Sequence, residues 1–202
     1  MTIPTGFGQF AGKENLMESF NNWLIENIGG GHVGSPPLPS GKDFFWAFDF
    51  PIQPQQTPAV TTTERGLFNL GELAFNKLIG HRPDGEPVFG TKNQTLIEIT
   101  CIDQDTETKT NSTKVVRNLR DRVTQALATL NIPLRDYANH PSNPPKIGII
   151  TLDPESNAIN EKFVVDPQNL QVKRYVIIIR VFWMELNHTF KTQTILSDAE
   201  IT

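Results

Sequence analysis

The chain has 202 residues, enough to bury one substantial core and barely enough for two small ones. Hydrophobic residues make up 38% and charged residues 20%, a balance that fits neither an intrinsically disordered chain nor a bundle of membrane helices. A net charge of −4 with no long basic block removes counterion release as a source of affinity, so no sequence-specific nucleic-acid partner is expected.

Residues 1–13 hold Met1, Ile3, Phe7 and Phe10 among glycines with no period, which predicts a flexible arm. From Glu14 the apolar residues Leu16, Phe20, Trp23, Leu24 and Ile28 recur at helical spacing, with Glu18, Asn22 and Glu26 elsewhere. Gly29, Gly30 and Gly31 end this first helix. The stretch GSPPLPSG (34–41) reads as a stiff connector. In DFFWAFDF (43–50), Phe44, Trp46, Phe48 and Phe50 share one face of a predicted strand, until Pro51 breaks it. A second strand is predicted around the β-branched run Val60–Thr63. Residues 66–94 have no clean period and a turn signal, RPDGEP, so they read as an elaborated loop that can hold a hairpin.

TLIEITCID (95–103) alternates as a strand, with Ile97, Ile99 and Cys101 on one side. A polar connector follows, and Ser112 or Thr113 is placed to cap a helix over 113–130. Its core stripe is Val115, Val116, Leu119, Val123, Ala126, Leu127 and Leu130, while Lys114, Arg117, Arg120 and Arg122 line much of the other side. NIPLRDYANHPSNPP (131–145) reads as a loop, KIGIITLD (146–153) as a short strand, and 160–166 with 170–187 as an antiparallel hairpin around Pro167, Gln168 and Asn169. Residues 188–202 form a second arm, whose TQTILSDAEIT could add a strand to a neighbour. The expected fold is a single α+β domain spanning 1–202: one mixed, largely antiparallel sheet of five to six strands with two amphipathic helices on one face.

The last strand, KRYVIIIRVFWMEL (173–186), is apolar on both sides, with Arg180 in its midst. Two helices roof one face of such a sheet, so the other face needs cover from elsewhere. That predicts Ile178, Arg180, Phe182 and Met184 at a boundary between subunits. Arg117, Arg120 and Arg122 read either as part of a solvated helix face or as contacts to an acidic partner surface, and Arg117 and Arg120 are added to the boundary candidates.

Motifs for chemistry are sparse. GFGQFA (6–11) has the glycine spacing of a dinucleotide loop but no strand before it. DQDTETKTNSTK (103–114) begins like a calcium loop, yet Thr108 stands at the glycine position and Lys114 at the bidentate glutamate position. His32, His81, His140 and His188 lack the spacing of metal pairs. The single cysteine, Cys101, excludes an internal disulfide and reads as a small core residue. No metal or cofactor is expected, and the chain reads as a non-enzyme; the opposing reading is a small-molecule enzyme or binding domain using Cys101. The start of the chain lacks the pattern of a secretory signal, and no apolar run is long enough for a bilayer, so a cytosolic setting without membrane contact is expected.

The order of elements, with the helix ENLMESFNNWLIENI, the strand TLIEITCID leading into KVVRNLRDRVTQALATL, and the closing KFVVDPQNLQVKRYVIIIRVFWMEL, resembles the tail-terminator or tail-completion proteins of long-tailed bacteriophages and related contractile injection machines. That resemblance implies a small α/β subunit in a ring, typically of six, that caps a tail tube and meets the head connector, with the tube protein, connector or neck proteins and a sheath protein as partners. It places the chain in a virion tail or neck, assembled in the host cytoplasm. It also makes Asp166, Pro167, Gln168 and Asn169, with Arg82 and Asp84, candidates for contacts along the particle axis. Another neck, adaptor or sheath-capping component of such a particle fits the same residues.

Overall fold

The computed structural model describes residues 11–48, 56–67, 77–81, 85, 87–152 and 159–187. Its elements run α1 (Ala11–Asn27), β1 (Gly31–Val33), β2 (Phe44–Trp46), β3 (Ala59–Leu67), β4 (Lys77–His81), β5 (Pro87–Gln104), α2 (Ser112–Leu127), β6 (Asn131–Arg135), β7 (Lys146–Leu152), β8 (Ile159–Val165) and β9 (Val172–Asn187). The α+β class, the mixed sheet and the two helices on one face are as the sequence predicts.

The strand number is not: among the described residues nine strands join the sheet in place of five or six. The three additional strands are short, three to five residues each. β1 follows on the glycines that end α1, β4 pairs with the start of β5 as the hairpin expected within the 66–94 segment, and β6 contains Pro133 within a stretch that reads as loop. Pairing is antiparallel except at β1–β2 and β2–β3, which are parallel.

Strands β5 and β9 form the spine, paired without a break from Phe89–Asn187 to Gln104–Val172. Different strands flank its two halves. One half has the order β1-β2-β3-β5-β9-β8, and the other β4-β5-β9-β7-β6. β8 and β7 therefore share the same edge of β9, one beside residues 173–179 and the other beside 181–185.

One apolar core holds the two layers together. Leu16, Phe20, Leu24 and Ile28 from the α1 region and Val116, Leu119, Val123 and Leu127 from α2 pack with Ile97, Ile99, Ile177, Ile179 and Val181. Full burial of each such side chain contributes about 1.5–3 kcal/mol. Helix α1 starts at Ala11, three residues into the expected arm, and α2 ends at Leu127, with Leu130 still buried in the turn beyond it.

The expected cap at Ser112 or Thr113 is also corrected. The N-cap is Asn111, which makes no side-chain capping bond, and the Ser112 N–H instead donates to Asp105 Oδ1 at 3.0 Å. A carboxylate from the connector thus satisfies one of the free donors at the helix start. On the other helix, Ser19 Oγ accepts the Arg135 N–H at 3.0 Å and Asn15 Oδ1 accepts the Ala138 N–H at 2.9 Å. These two buried polar residues of α1 stitch it to β6 and the turn that follows.

Candidate functional site

The sheet face turned away from the helices is the first candidate. Register decides its character. Across β5 and β9 the successive pairs on this face are Gln94–Phe182, Leu96–Arg180, Glu98–Ile178, Thr100–Val176 and Ile102–Arg174. Every pair sets a polar residue beside an apolar one. The expected doubly greasy strand therefore builds a checkerboard, not a continuous oily patch, because the polar members come from β5 wherever β9 offers an apolar one.

Among the described residues neither helix packs on this face. Leu96, Val176, Ile178 and Phe182 are half-buried, as is Arg180, and Ile149 of β7 is exposed, opposite Met184 in register. Arg65 of β3 adds an ion pair to Glu98, Nη2 to Oε2 at 2.6 Å. One end of the face is closed from within. Phe45, Ala59 and Ile102 form a small second cluster, on which Leu38 of the proline-rich connector and Val172 pack. Phe44 and Trp46 point the other way into the main core, as the alternation predicts.

The cationic side of α2 is largely engaged inside the chain. Arg120 lies over the Tyr175 ring at 4.7 Å and pairs through Nη1 with Glu161 Oε2 at 3.3 Å; Thr124 Oγ1 donates to the other oxygen of that carboxylate at 3.0 Å. Arg122 pairs through Nη1 with Asp43 Oδ2 at 2.7 Å, donates through Nη2 to the Gly29 carbonyl and lies over the Phe44 ring at 5.1 Å. It clamps the turn after α1, where Gly30 (φ +83°) is required because a Cβ there would collide with the Asp43 carboxylate. Arg117 stays exposed, 6.0 Å over Phe163 of β8. Of the two arginines singled out as boundary candidates, Arg117 keeps a surface role open, whereas Arg120 already has partners within the fold.

The turn between β8 and β9 organises itself. Asp166 Oδ1 accepts the N–H groups of Gln168 at 2.9 Å and Asn169 at 3.3 Å, and its Oδ2 pairs with Arg174 Nη2 at 3.3 Å. Pro167, Gln168 and Asn169 are exposed at the hairpin tip, followed by Leu170 at 69% exposure. Arg82, Asp84, His188 and the arms 1–10 and 188–202 lie outside the described residues.

The chemical alternative fares poorly on geometry. Cys101 is fully buried, and burial pushes its thiol up to about 12, so it carries essentially no thiolate at neutral pH. His32 sits three strand spacings away, about 14 Å, with its ring 5.9 Å from Phe45 on the opposite face. The calcium-like stretch is used up structurally: Asp103 pairs with Lys109 Nζ at 2.6 Å and Asp105 caps α2. Among the described residues no group of three or more His, Cys, Asp and Glu side chains is placed to hold a metal ion. No helix of the described residues is long and apolar enough to cross a membrane.

The residues that sequence reasoning missed lie at the edge of the sheet. Phe163 and Val165 of β8 are 37% and 36% exposed, and Val33 of β1 is 58% exposed. Their alternation is visible in the sequence, but that they end a sheet is not. A scan against protein-family models and a search of curated proteins both find no match to the chain.

Proposed function

We propose that this chain is a structural assembly subunit without catalytic activity, a tail terminator whose copies form a ring that caps a tail tube and meets the head connector. The observation that carries this reading is the half-buried apolar set Leu96, Val176, Ile178 and Phe182, with Ile149 exposed beside it, on a face that neither helix covers among the described residues. Mixed polar and apolar character at partial exposure is the composition of a surface that meets partners and stays soluble without them. The buried, protonated Cys101 argues against the enzyme reading. The order of elements supplies the particular particle, and it does so by likeness alone.

The test mixes the purified chain with tail-tube protein and examines the tubes by electron microscopy, beside native mass spectrometry of the chain alone and with tubes. Ring-shaped density confined to tube ends, and a closed oligomer by mass, are the expected results. Chain that stays monomeric at every concentration and leaves tube ends bare overturns the proposal.

A further inference from the structure

We infer that neighbouring copies join edge to edge, β8 of one copy adding to β1 of the next; this rests on the assembly reading above and specifies its boundary. A single row of side chains links the two edges. Register places Val33 beside Trp46, Trp46 beside Val60, Val60 beside Cys101, Cys101 beside Tyr175, and Tyr175 beside Phe163. The row crosses six strands on the helix-covered face, and every member is apolar or aromatic. Its inner four are buried or partly buried, whereas its two ends are the exposed Val33 and Phe163. Along this row the core therefore does not stop at a polar border on either side. It stops at the last strand.

Backbone groups point the same way. The Asp166 N–H donates to the Val172 carbonyl at 3.2 Å, which fixes the phase of the β8–β9 ladder. By the alternation of an antiparallel pair, Asn160, Lys162 and Val164 turn their N–H and C=O toward β9, and Ile159, Glu161, Phe163 and Val165 turn theirs outward. β8 pairs regularly along all seven of its residues, with no bulge and no proline. The opposite flank of the same edge is protected: β6 holds Pro133, which has no N–H, and the Arg135 N–H is taken by Ser19. Asn160, Glu161 and Lys162 make the first part of β8 polar, and Glu161 is held by Arg120, but Phe163, Val164 and Val165 leave its last part an unbulged apolar edge, a template for another strand.

A second copy is the occupant that fits, because the chain presents both halves of the contact. β1 and β8 end the same half of the sheet on opposite sides, so each copy can offer one to each neighbour, which is the head-to-tail contact that closes into rings. Direction agrees. β1, β2 and β3 run parallel to one another, β3 opposes β5, β5 opposes β9 and β9 opposes β8. Copies related by rotation about an axis along the strands thus bring β8 and β1 together antiparallel. Val33 then lands on the face that carries Phe163 and Val165, beneath the exposed Arg117, and the apolar row continues from copy to copy.

The test uses the full chain with Phe163→Lys and Val33→Glu, singly and combined, and Val165→Pro, which removes an outward N–H without touching the β8–β9 ladder. Self-association is read by sedimentation and native mass spectrometry, with thermal melting as the check on folding. Each single variant weakens association about tenfold or more while melting as the parent does, and the double variant recovers it because opposite charges then face each other across the boundary. If the parent associates and the single variants do so equally, or the double variant gains nothing over them, this pairing is wrong and the assembly reading survives. A parent that stays monomeric even with tube protein present removes both.

Discussion

The two faces of the β5–β9 pair are built from the same two runs of sequence and come out opposite. Toward the helices, Ile97 pairs with Ile179 and Ile99 with Ile177, all fully buried. Behind them, five successive pairs each join a polar to an apolar residue, and most of the apolar members are half-buried. Within β9 alone the second face reads as oily as the first. The difference is made by what β5 places opposite. A strand's own alternation tells which residues share a side, and only register with its neighbour tells whether that side becomes core.

A matched pair of truncations separates the two faces most strongly. Ile99→Ala, in the main core, is expected to lower unfolding stability by about 2–5 kcal/mol, while Ile178→Ala on the other face lowers it by about 1 kcal/mol. Urea denaturation of both, with unchanged slopes, checks the ordering. Equal losses would mean that the second face is core after all. A smaller effect is expected at the buried bond from Trp183 Nε1 to Thr95 Oγ1, 3.1 Å long. Thr95→Val keeps the shape and strands the indole N–H, at a cost of about 1–3 kcal/mol by the same measurement.

Much of the helix-covered face was legible in advance. The stripes Leu16–Phe20–Leu24 and Val116–Leu119–Val123 and the alternation Ile97–Ile99–Cys101 all fall in the core, because period and burial coincide where a helix lies on a strand. The second face was misjudged because its polar half comes from Gln94, Glu98 and Thr100, about 80 residues away in sequence from the β9 residues they pair with. Strand β6 escaped because Pro133 argues against a strand unless it lies at an edge, and edges are set by topology. The lateral candidates Val33, Phe163 and Val165 were invisible for the same reason: exposure at the end of a sheet is a property of strand order.

The arginines of α2 divide in the same way, at lower energy. Arg122 holds a carboxylate, a carbonyl and an aromatic ring, so Arg122→Ala is expected to cost about 1–2 kcal/mol, and Arg122→Lys to recover little, since an ammonium cannot fork across three partners. Arg117→Ala should change stability by less than about 0.5 kcal/mol and leave its mark on association instead. Thermal melts beside sedimentation separate the two. A large loss of stability at Arg117 would place it with Arg122 as a structural clamp and take it out of the surface.

Acid sensitivity gives the smallest effect and the most specific. Hydrogen bonding from Ser112 holds the Asp105 carboxyl below the usual carboxylate range, against a small opposing push from burial. At Asp136 burial pushes upward, but the side chain and N–H of Asn139, with help from Asn15 and His140, more than offset it and leave the group lowered too. A carboxyl lowered by folding gives up its proton more readily in the folded chain. Its stabilisation is therefore complete above the unfolded value of about 3.9 and is lost as pH falls through the lower folded value. Stability should be flat from neutrality to about pH 4 on account of these groups and decline below it. Asp105→Asn should flatten that acid decline and fray the first turn of α2, with amide exchange at Ser112 rising first. An acid limb identical to the parent's would show that the connector carboxylate does not hold the helix start, and that α2 keeps its place over the sheet by its apolar stripe alone.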